Sequence, residues 1–111
     1  MVRAALLAWA SPVPDRTAEF VEWYEKVHIP DVRAAIPTIE KVIRYRLVDP
    51  ADSGRPPRFL TFYDLGEVEV AAAEASLTEA ATSGQMQLSP AMDLADNPPA
   101  LQWYVRDSGE L

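Results

Sequence analysis

The chain has 111 residues, of which 49% are hydrophobic and 24% charged, and this composition fits one globular domain over residues 1–111 and leaves no room for two. Its net charge is −7, whereas nucleic-acid binders usually carry an excess of lysine and arginine, so no nucleic-acid partner is expected. It contains no cysteine, which excludes disulfides, thiolate nucleophiles and cysteine metal sites.

The first apolar run, residues 2–9, predicts a buried strand. Small and large apolar residues alternate along it, as they do in strands with two covered faces. The run is too short to cross a bilayer, and Arg3 alone is a weak beginning for a signal peptide. We therefore expect a protein that has no membrane partner and stays in the cytoplasm.

The next segment predicts a helix over residues 16–28, with Asp15 as its N-cap. Its apolar face has helical spacing and consists of Phe20, Trp23, Tyr24 and Val27. Pro30 is expected to end or kink this helix, because proline lacks a backbone donor and clashes with the preceding turn. A short turn over residues 31–35 follows.

The rest of the chain predicts three strands and one further helix. Residues 39–48 and 58–65 alternate as strands and flank a loop at 49–57, which suggests a hairpin. Residues 67–83 are rich in alanine and predict a helix with Gly84 as its C′ residue. Residues 85–97 are less regular, with a turn starting at Ser89-Pro90, and residues 100–106 form the last strand.

The element order β-α-β-β-α-β predicts a ferredoxin-like α+β fold, with two helices on one face of a four-stranded antiparallel sheet. Both faces of the predicted strands carry aromatic or aliphatic side chains. In a sheet with one face exposed to water, apolar and polar residues would alternate along each strand. We therefore expect a second subunit to cover the open face, which makes the protein a homodimer.

His28 is the one histidine and the first candidate for chemistry. It falls at the predicted end of the first helix and at the edge of its apolar stripe, so its ring should face the gap between helix and sheet. A helix C-terminus and the nearby Asp31 would favour the imidazolium, and a pKa of about 6.5 suits acid–base work. The alternative is that His28 only caps the last carbonyls beside Pro30.

Aromatic and basic residues supply further candidates. The hydroxyls of Tyr24 and Tyr63 could polarise a carbonyl or share a proton with His28, although ordinary packing also explains them. Arginine could hold a carboxylate or phenolate, although surface ion pairs explain it equally. The candidates for substrate binding are Trp9, Trp23, Asp31, Arg44, Tyr45, Arg46 and Trp103.

Several familiar sites are missing from the sequence. It has no glycine-rich phosphate loop, no dinucleotide fingerprint and no serine in a nucleophile elbow. One histidine and unclustered carboxylates argue against a metal site. We therefore expect any catalysis to be acid–base chemistry without a cofactor or metal.

Residues 19–32, EFVEWYEKVHIPDV, contain the pattern W-Y-x-x-x-H-x-P-x-aliphatic. This pattern resembles the first-helix motif of EthD-like proteins in the dimeric α+β barrel superfamily, and most closely that of short actinobacterial members without an assigned function. The likeness continues weakly at Tyr45-Arg46 and over residues 58–65. The topology covers nearly the whole chain, but the motif covers about a dozen residues.

The resemblance implies a homodimer with a cleft between the helices and the sheet of each subunit. It implies that His28 is the acid or base, with Tyr24 and Trp23 beside it. The superfamily includes muconolactone isomerases, aromatic polyketide cyclases, hydroxynitrile lyases, quinone-forming monooxygenases and haem-degrading enzymes, several of which use no cofactor. This chain has no second histidine, unlike relatives that need a histidine pair.

Three functions remain open from the sequence. The first is a cofactor-independent acid–base enzyme of secondary metabolism or aromatic catabolism. It would act as a cyclase, isomerase, dehydratase or lyase on a small aromatic, polyketide-like or lactone substrate. The second is a non-catalytic dimer that binds a small hydrophobic molecule, and the third is a monooxygenase of the same fold. The sequence does not identify the substrate.

Overall fold

A computed structural model describes residues 2–52, 54 and 56–111. Along these residues the chain forms β1 (Val2–Ala10), α1 (Thr17–Trp23), a π-helical turn (Tyr24–His28), α2 (Ile29–Ala35), β2 (Lys41–Arg46), β3 (Phe59–Val68), α3 (Val70–Thr82) and β4 (Ala100–Val105). The strands form one sheet in the order β2-β3-β1-β4, and every neighbouring pair is antiparallel. The predicted ferredoxin-like α+β fold and the hairpin between β2 and β3 are confirmed.

One face of the sheet is covered by the helices and holds the core. Alternate side chains of β1 and β3 point to this face and are buried: Ala4, Leu6, Ala8, Ala10, Phe59, Thr61, Tyr63 and Leu65. Phe20 of α1, Tyr24 of the π-helical turn and Leu77 of α3 pack over them. This alternation follows from the two-residue period of a strand.

The opposite face, called the open face below, carries the intervening side chains of all four strands. Leu7 of β1 pairs in register with Phe62 of β3, and Phe62 pairs with Ile43 of β2. Leu7 and Phe62 keep part of their surface exposed, and Tyr45 is 54% exposed. The open face is therefore apolar along its middle.

The beginning of the first helix differs from the prediction. Asp15 has a φ of 68°, which is the left-handed region that aspartate tolerates better than most residues. Arg16 occupies the N-cap position, where its guanidinium binds the Glu19 carboxylate at 2.7 Å. The prediction that Asp15 caps this helix is wrong, because its backbone turns the chain before the helix begins.

Of the two outcomes expected at Pro30, an end of the helix or a kink, the structure rules out the end. The helical path continues through Pro30 into α2, after a π-helical turn in which the Ile29 N–H donates to the Tyr24 carbonyl. Pro30 has no N–H to donate to the preceding helical turn. Because the π turn is wider than an α-helical turn, it keeps the preceding backbone away from the proline ring. His28 therefore lies inside the helical segment, and the alternative that it caps a helix end is wrong.

The second half of the chain follows the prediction with shifted boundaries. Strand β3 runs on to Val68, which pairs with Val2, so α3 begins at Val70. Gly84 has a φ of 82°, and the N–H of Gln85 donates to the Ala80 carbonyl at 3.1 Å. These features confirm Gly84 as the residue after the helix in a Schellman-type end. None of the helices among the described residues is both long and apolar enough to span a bilayer.

Candidate functional site

A cleft of about 200 Å³ lies between the helices and the covered face of the sheet; we call it the helix cleft. It is lined by Leu6, Ala8, Trp23, His28, Val32, Tyr63, Leu77, Ala81, Met86, Gln87, Leu88, Met92 and Leu101. Most of these side chains are apolar. The hydrogen-bonding side chains among them are those of Trp23, His28, Tyr63 and Gln87.

The π-helical turn positions His28 in the cleft. In a π helix the backbone bond spans five residues, so side chains five apart come to the same side. The His28 ring accordingly lies 4.9 Å from the Trp23 ring, five residues earlier, and 4.8 Å from the Tyr24 ring, measured between centroids. The two aromatic rings hold the imidazole in place.

Burial determines the charge of His28. Loss of solvation lowers the pKa of His28 to about 4, although the negative charge of Asp31 acts in the opposite direction. The ring is therefore neutral at pH 7, contrary to the expectation of an imidazolium. Neither of its nitrogens forms a hydrogen bond to a residue that the structure describes. A neutral imidazole has one donor and one acceptor nitrogen, and both are available to a ligand.

Tyr63 and Tyr24 differ in how their hydroxyls are satisfied. Tyr63 lines the cleft, while its hydroxyl is buried next to the Tyr24 hydroxyl and forms no well-aligned hydrogen bond with a described residue. Burial, together with the neighbouring Tyr24, raises the pKa of Tyr63. The Tyr24 hydroxyl instead shares a 2.9 Å hydrogen bond with the hydroxyl of Thr61. Tyr24 supports the His28 ring, but it is not part of the cleft wall.

An irregular segment, residues 85–92, covers one side of the cleft; we call it the covering segment. Two hydrogen bonds join Gln87 of the covering segment to α1 and α2. The Trp23 indole N–H donates to the Gln87 carbonyl at 3.2 Å, and the Gln87 N–H donates to the Asp31 carboxylate at 3.0 Å. Asp31, predicted as a substrate contact, thus binds the covering segment.

The arginines lie outside the helix cleft. Arg44 donates to the Glu25 carboxylate at 2.7 Å, and its guanidinium carbon lies 5.3 Å from the centroid of the Phe59 ring. Arg58 donates to the Ser11 hydroxyl and to the carbonyls of Asn97 and Pro98. Arg44 and Arg58 therefore have structural partners, and the basic residues do not converge on one ligand.

The remaining predicted contacts are also separated from His28. Trp9, Tyr45 and Arg46 line a second depression, of about 510 Å³, at the β2–β3 edge of the sheet. Trp103 lies on the covered face, opposite Leu6 in register, and packs against the core without lining the cleft. Of the ten predicted site residues, the structure brings His28, Tyr63 and Trp23 to the cleft wall, with Tyr24 and Asp31 directly behind them.

Sequence reasoning missed the walls contributed by α3 and the covering segment. Leu77 and Ala81 come from α3, and Met86, Leu88 and Met92 come from residues read only as irregular. Large apolar side chains within an irregular, polar stretch are the signal that could have indicated a covered cavity. Within the described residues, no cluster of three histidine or acidic side chains could hold a metal ion.

Comparison with known proteins supports the fold. No protein-family model matches the chain, and a search of curated proteins found no match. Among solved structures, an EthD-like protein from Ralstonia eutropha JMP134 is similar, with a TM-score of 0.52 and 13% identity over 94% of this chain and 92% of that one.

An EthD (ethyl tert-butyl ether D) family protein from Bacillus halodurans C-125 aligns with a TM-score of 0.48 and 19% identity, covering 98% and 99% of the two chains. A dimeric ferredoxin-like protein of unknown function from Thermobifida fusca YX aligns with a TM-score of 0.45 and 12% identity, covering 95% and 92%. The similarity to the Ralstonia eutropha JMP134 structure supports the ferredoxin-like fold of this chain.

Proposed function

We propose that this protein catalyses proton transfer on a small, mostly apolar molecule bound in the helix cleft, with His28 as the base. The observation that carries the proposal is a neutral imidazole that forms no hydrogen bond with any described residue, in a cleft that is otherwise almost entirely apolar. Perturbed titratable groups in clefts are characteristic of functional sites. His28 is already in the basic form at every pH above about 4.

The low pKa of His28 limits the substrates that it can deprotonate. A base works best when its pKa approaches that of the proton it removes, and a weak base therefore needs an acidic proton. A carbon between two carbonyl groups, or one beside a conjugated ketone, carries such a proton. Polyketide-like and lactone substrates contain carbons of this kind.

The first step follows from the groups in the cleft. The unprotonated nitrogen of His28 takes a proton from the carbon beside a carbonyl, and the electrons of that C–H bond form an enolate. Tyr63, whose side chain lines the cleft, would donate a hydrogen bond to the enolate oxygen where that oxygen comes within reach of its hydroxyl, in place of the neighbouring Tyr24 hydroxyl. The imidazolium then returns the proton to another carbon in an isomerisation. In a dehydration it protonates the β-hydroxyl, which leaves as water as its C–O bond breaks. In a cyclisation the enolate carbon forms a C–C bond to a second carbonyl carbon, and the imidazolium protonates the resulting alkoxide.

A second function, binding without turnover, is favoured by one observation. Catalytic histidines are commonly oriented by a carboxylate or carbonyl that fixes one tautomer. No described residue forms such a hydrogen bond with His28, whose orientation comes from ring contacts with Trp23 and Tyr24. The test therefore measures binding and turnover separately.

The test uses ethyl benzoylacetate, an uncharged aromatic β-keto ester, as the probe. Exchange of its α-protons with D₂O is followed by NMR at pH 6.5, with binding measured by tryptophan fluorescence. We expect the protein to accelerate exchange, and His28→Gln to lose on the order of 100-fold of that acceleration. Glu74→Gln, an exposed change on α3, is the matched control. Saturable binding without exchange would assign the binding function instead.

We further infer that a second copy of the chain covers the open face. Large exposed apolar patches mark interaction sites, and Leu7, Ile43 and Phe62 form such a patch at the centre of this sheet. The charged side chains of this face lie at its margin, where Asp64 is neutralised by Arg3. Two copies of the face can therefore meet without strong charge repulsion at its centre.

Analytical ultracentrifugation tests the homodimer. We expect the wild type to sediment as a dimer at micromolar concentration and Phe62→Glu to sediment as a monomer, because a carboxylate at the centre of the patch would be buried without a partner. Glu74→Lys, away from this face, should leave the dimer intact. A wild-type protein that stays monomeric at the highest soluble concentration contradicts the inference.

A further inference from the structure

We infer that the helix cleft selects an uncharged ligand, a carbonyl compound of one or two rings, and rejects carboxylates of the same shape. The inference rests on the cleft being the ligand site of the proposed function. It does not require that the ligand is turned over. It replaces the expectation that an arginine holds an anionic substrate group.

The cleft wall offers no counter-charge. No lysine, arginine, aspartate or glutamate is among the described residues that line it. The one titratable group that could become a cation near neutrality is His28, and its pKa of about 4 leaves it neutral. A carboxylate entering this cleft would lose its hydration and gain no ion pair, which is strongly unfavourable.

The charge nearest His28 acts against anions. Asp31 raises the pKa of His28, so its negative field reaches the imidazole. The positive fields of Arg33 and Arg44 reach the buried tyrosines Tyr63 and Tyr24, but neither arginine lines the cleft, and Arg44 is held by Glu25. An anion beside His28 would therefore meet repulsion from Asp31 and find no arginine in the cleft wall to pair with directly.

The polar groups present match a neutral carbonyl compound. The Tyr63 hydroxyl is a buried donor that lies beside the Tyr24 hydroxyl without a well-aligned bond to a described residue, and such a donor favours a ligand that supplies a better acceptor. His28 provides one further donor and one acceptor. These groups suit one carbonyl and its neighbouring hydrogen rather than a charged group.

The volume of the cleft sets the ligand size. An apolar protein cavity of about 150 Å³ takes one benzene molecule, and the helix cleft has a volume of about 200 Å³. One substituted ring or two fused rings therefore fill it. Larger polycyclic molecules would have to displace the covering segment.

The experiment compares methyl 2-naphthoate with 2-naphthoate, which share the ring and the carbonyl but differ in charge. Because the chain has one histidine, the ring signals of His28 report binding at the cleft in an NMR titration at pH 7. We expect the ester to shift these signals and the carboxylate to bind at least 100-fold more weakly. Equal or tighter binding of the carboxylate would overturn the inference, as would an ester that leaves the His28 signals unchanged.

A gain of function sharpens the test. Leu88 lines the cleft but is 81% exposed, so Leu88→Arg adds a cation at its rim with little cost to folding. We expect this variant to bind 2-naphthoate at least tenfold more tightly than the wild type, with ester binding little changed. Leu94→Arg makes the same change in net charge at a 65% exposed position outside the cleft and should leave both affinities unaltered.

The two proposals fail in different ways. Selective ester binding without proton exchange on ethyl benzoylacetate would retain the uncharged-ligand inference and remove the catalytic proposal. Proton exchange together with tight naphthoate binding at the His28 signals would retain catalysis and overturn the selectivity. An unchanged naphthoate affinity in Leu88→Arg would show that the absence of a cation is not what excludes the anion.

Discussion

The two faces of the sheet have similar hydrophobic composition but different surroundings. On the covered face, Leu6 is 1% exposed and packs beneath the helices, next to the helix cleft. On the open face, Leu7 remains partly exposed beside Phe62. The same strand therefore supplies a closed core to one side and an unoccupied apolar surface to the other.

This difference separates two roles for apolar side chains. The covered face encloses a cleft with one basic nitrogen, whereas the open face has large apolar side chains at its centre and its charged groups, such as Asp64 and Arg3, at its margin. Trp9 and Tyr45 lie on the open face and belong to the proposed subunit interface. Trp23 and Tyr63 lie at the cleft. Identical residue types thus line the proposed catalytic cleft on one face and the proposed subunit interface on the other.

Neighbouring leucines of β1 provide the strongest test of this comparison. Leu6→Ala should lower the free energy of unfolding by about 2–5 kcal/mol, because it leaves a cavity in a closed core. Leu7→Ala should cost about 1 kcal/mol or less at low protein concentration, where no second copy covers it. Urea unfolding at several protein concentrations measures both variants.

The concentration series separates the two faces further. If a second copy covers the open face, the loss caused by Leu7→Ala grows with protein concentration, since dimerisation stabilises the wild type more. The Leu6→Ala loss should change little. Equal losses at every concentration would show that the two faces have the same environment.

Acidification tests the covered face through His28. The ring has a pKa of about 4 when folded and about 6.5 when unfolded, so the unfolded chain binds more protons between these values. The stability contributed by the neutral ring is complete above pH 6.5 and is lost as the pH falls towards 4, amounting to roughly 2 kcal/mol by pH 5.

His28→Gln is the control for this pH effect. Urea unfolding at pH 7.5 and pH 5 should show a larger loss of stability in the wild type than in this variant. The loss of stability that the wild type and the variant have in common comes from protonation of carboxylates. An NMR titration of the single histidine gives the midpoint directly, and a midpoint near 6.5 would contradict burial of the ring in the cleft.

The fold was predictable because it depends on residue periodicity. Two-residue alternation in the strands and the hairpin between them fixed the element order and which side chains share a face. In β3 the alternation of Phe59, Thr61 and Tyr63 with Leu60 and Phe62 separated the two faces, but it did not indicate which face the helices cover, because both are apolar. These features are local, and tertiary packing did not override them.

The site was predictable only in part, because it depends on distant contacts. Pro30 was expected to end or kink the helix, yet Phe20, Tyr24, His28, Val32 and Ile36 recur every four residues across it, which indicates a continuous helical path. The charge of His28 depended on burial by segments far along the chain, including Met86 and Met92. No local pattern gives that burial, so an imidazolium was expected where the ring is neutral.

The two buried tyrosines should respond in opposite ways to loss of their hydroxyls. Tyr24→Phe leaves the Thr61 hydroxyl without its partner and should cost about 1–2 kcal/mol of stability. Tyr63→Phe removes a buried hydroxyl that has no partner in the described chain, and should be neutral or stabilising by up to about 1 kcal/mol. Thermal and urea unfolding measure both.

The same pair links stability to function. If Tyr63 donates to the substrate oxygen, Tyr63→Phe should lower proton exchange on ethyl benzoylacetate while it keeps or raises stability, as is common when a functional group is removed. A clear loss of stability in Tyr63→Phe would mean that its hydroxyl has a structural partner, such as an ordered water.

The smallest expected effect concerns the covering segment. Asp31→Ala removes the acceptor of the Gln87 N–H, and a single exposed hydrogen bond to a carboxylate contributes about 1 kcal/mol or less. Global stability should change little, but hydrogen exchange of the Gln87 amide should become about three- to fivefold faster, because the segment opens more often.

The same variant removes the negative charge that raises the pKa of His28, so the midpoint of the His28 titration should move below its wild-type value. Faster exchange at Gln87 with an unchanged His28 midpoint would mean that Asp31 fastens the segment without acting on the cleft. A shift at His28 without faster exchange would mean that the Trp23 bond alone holds the segment.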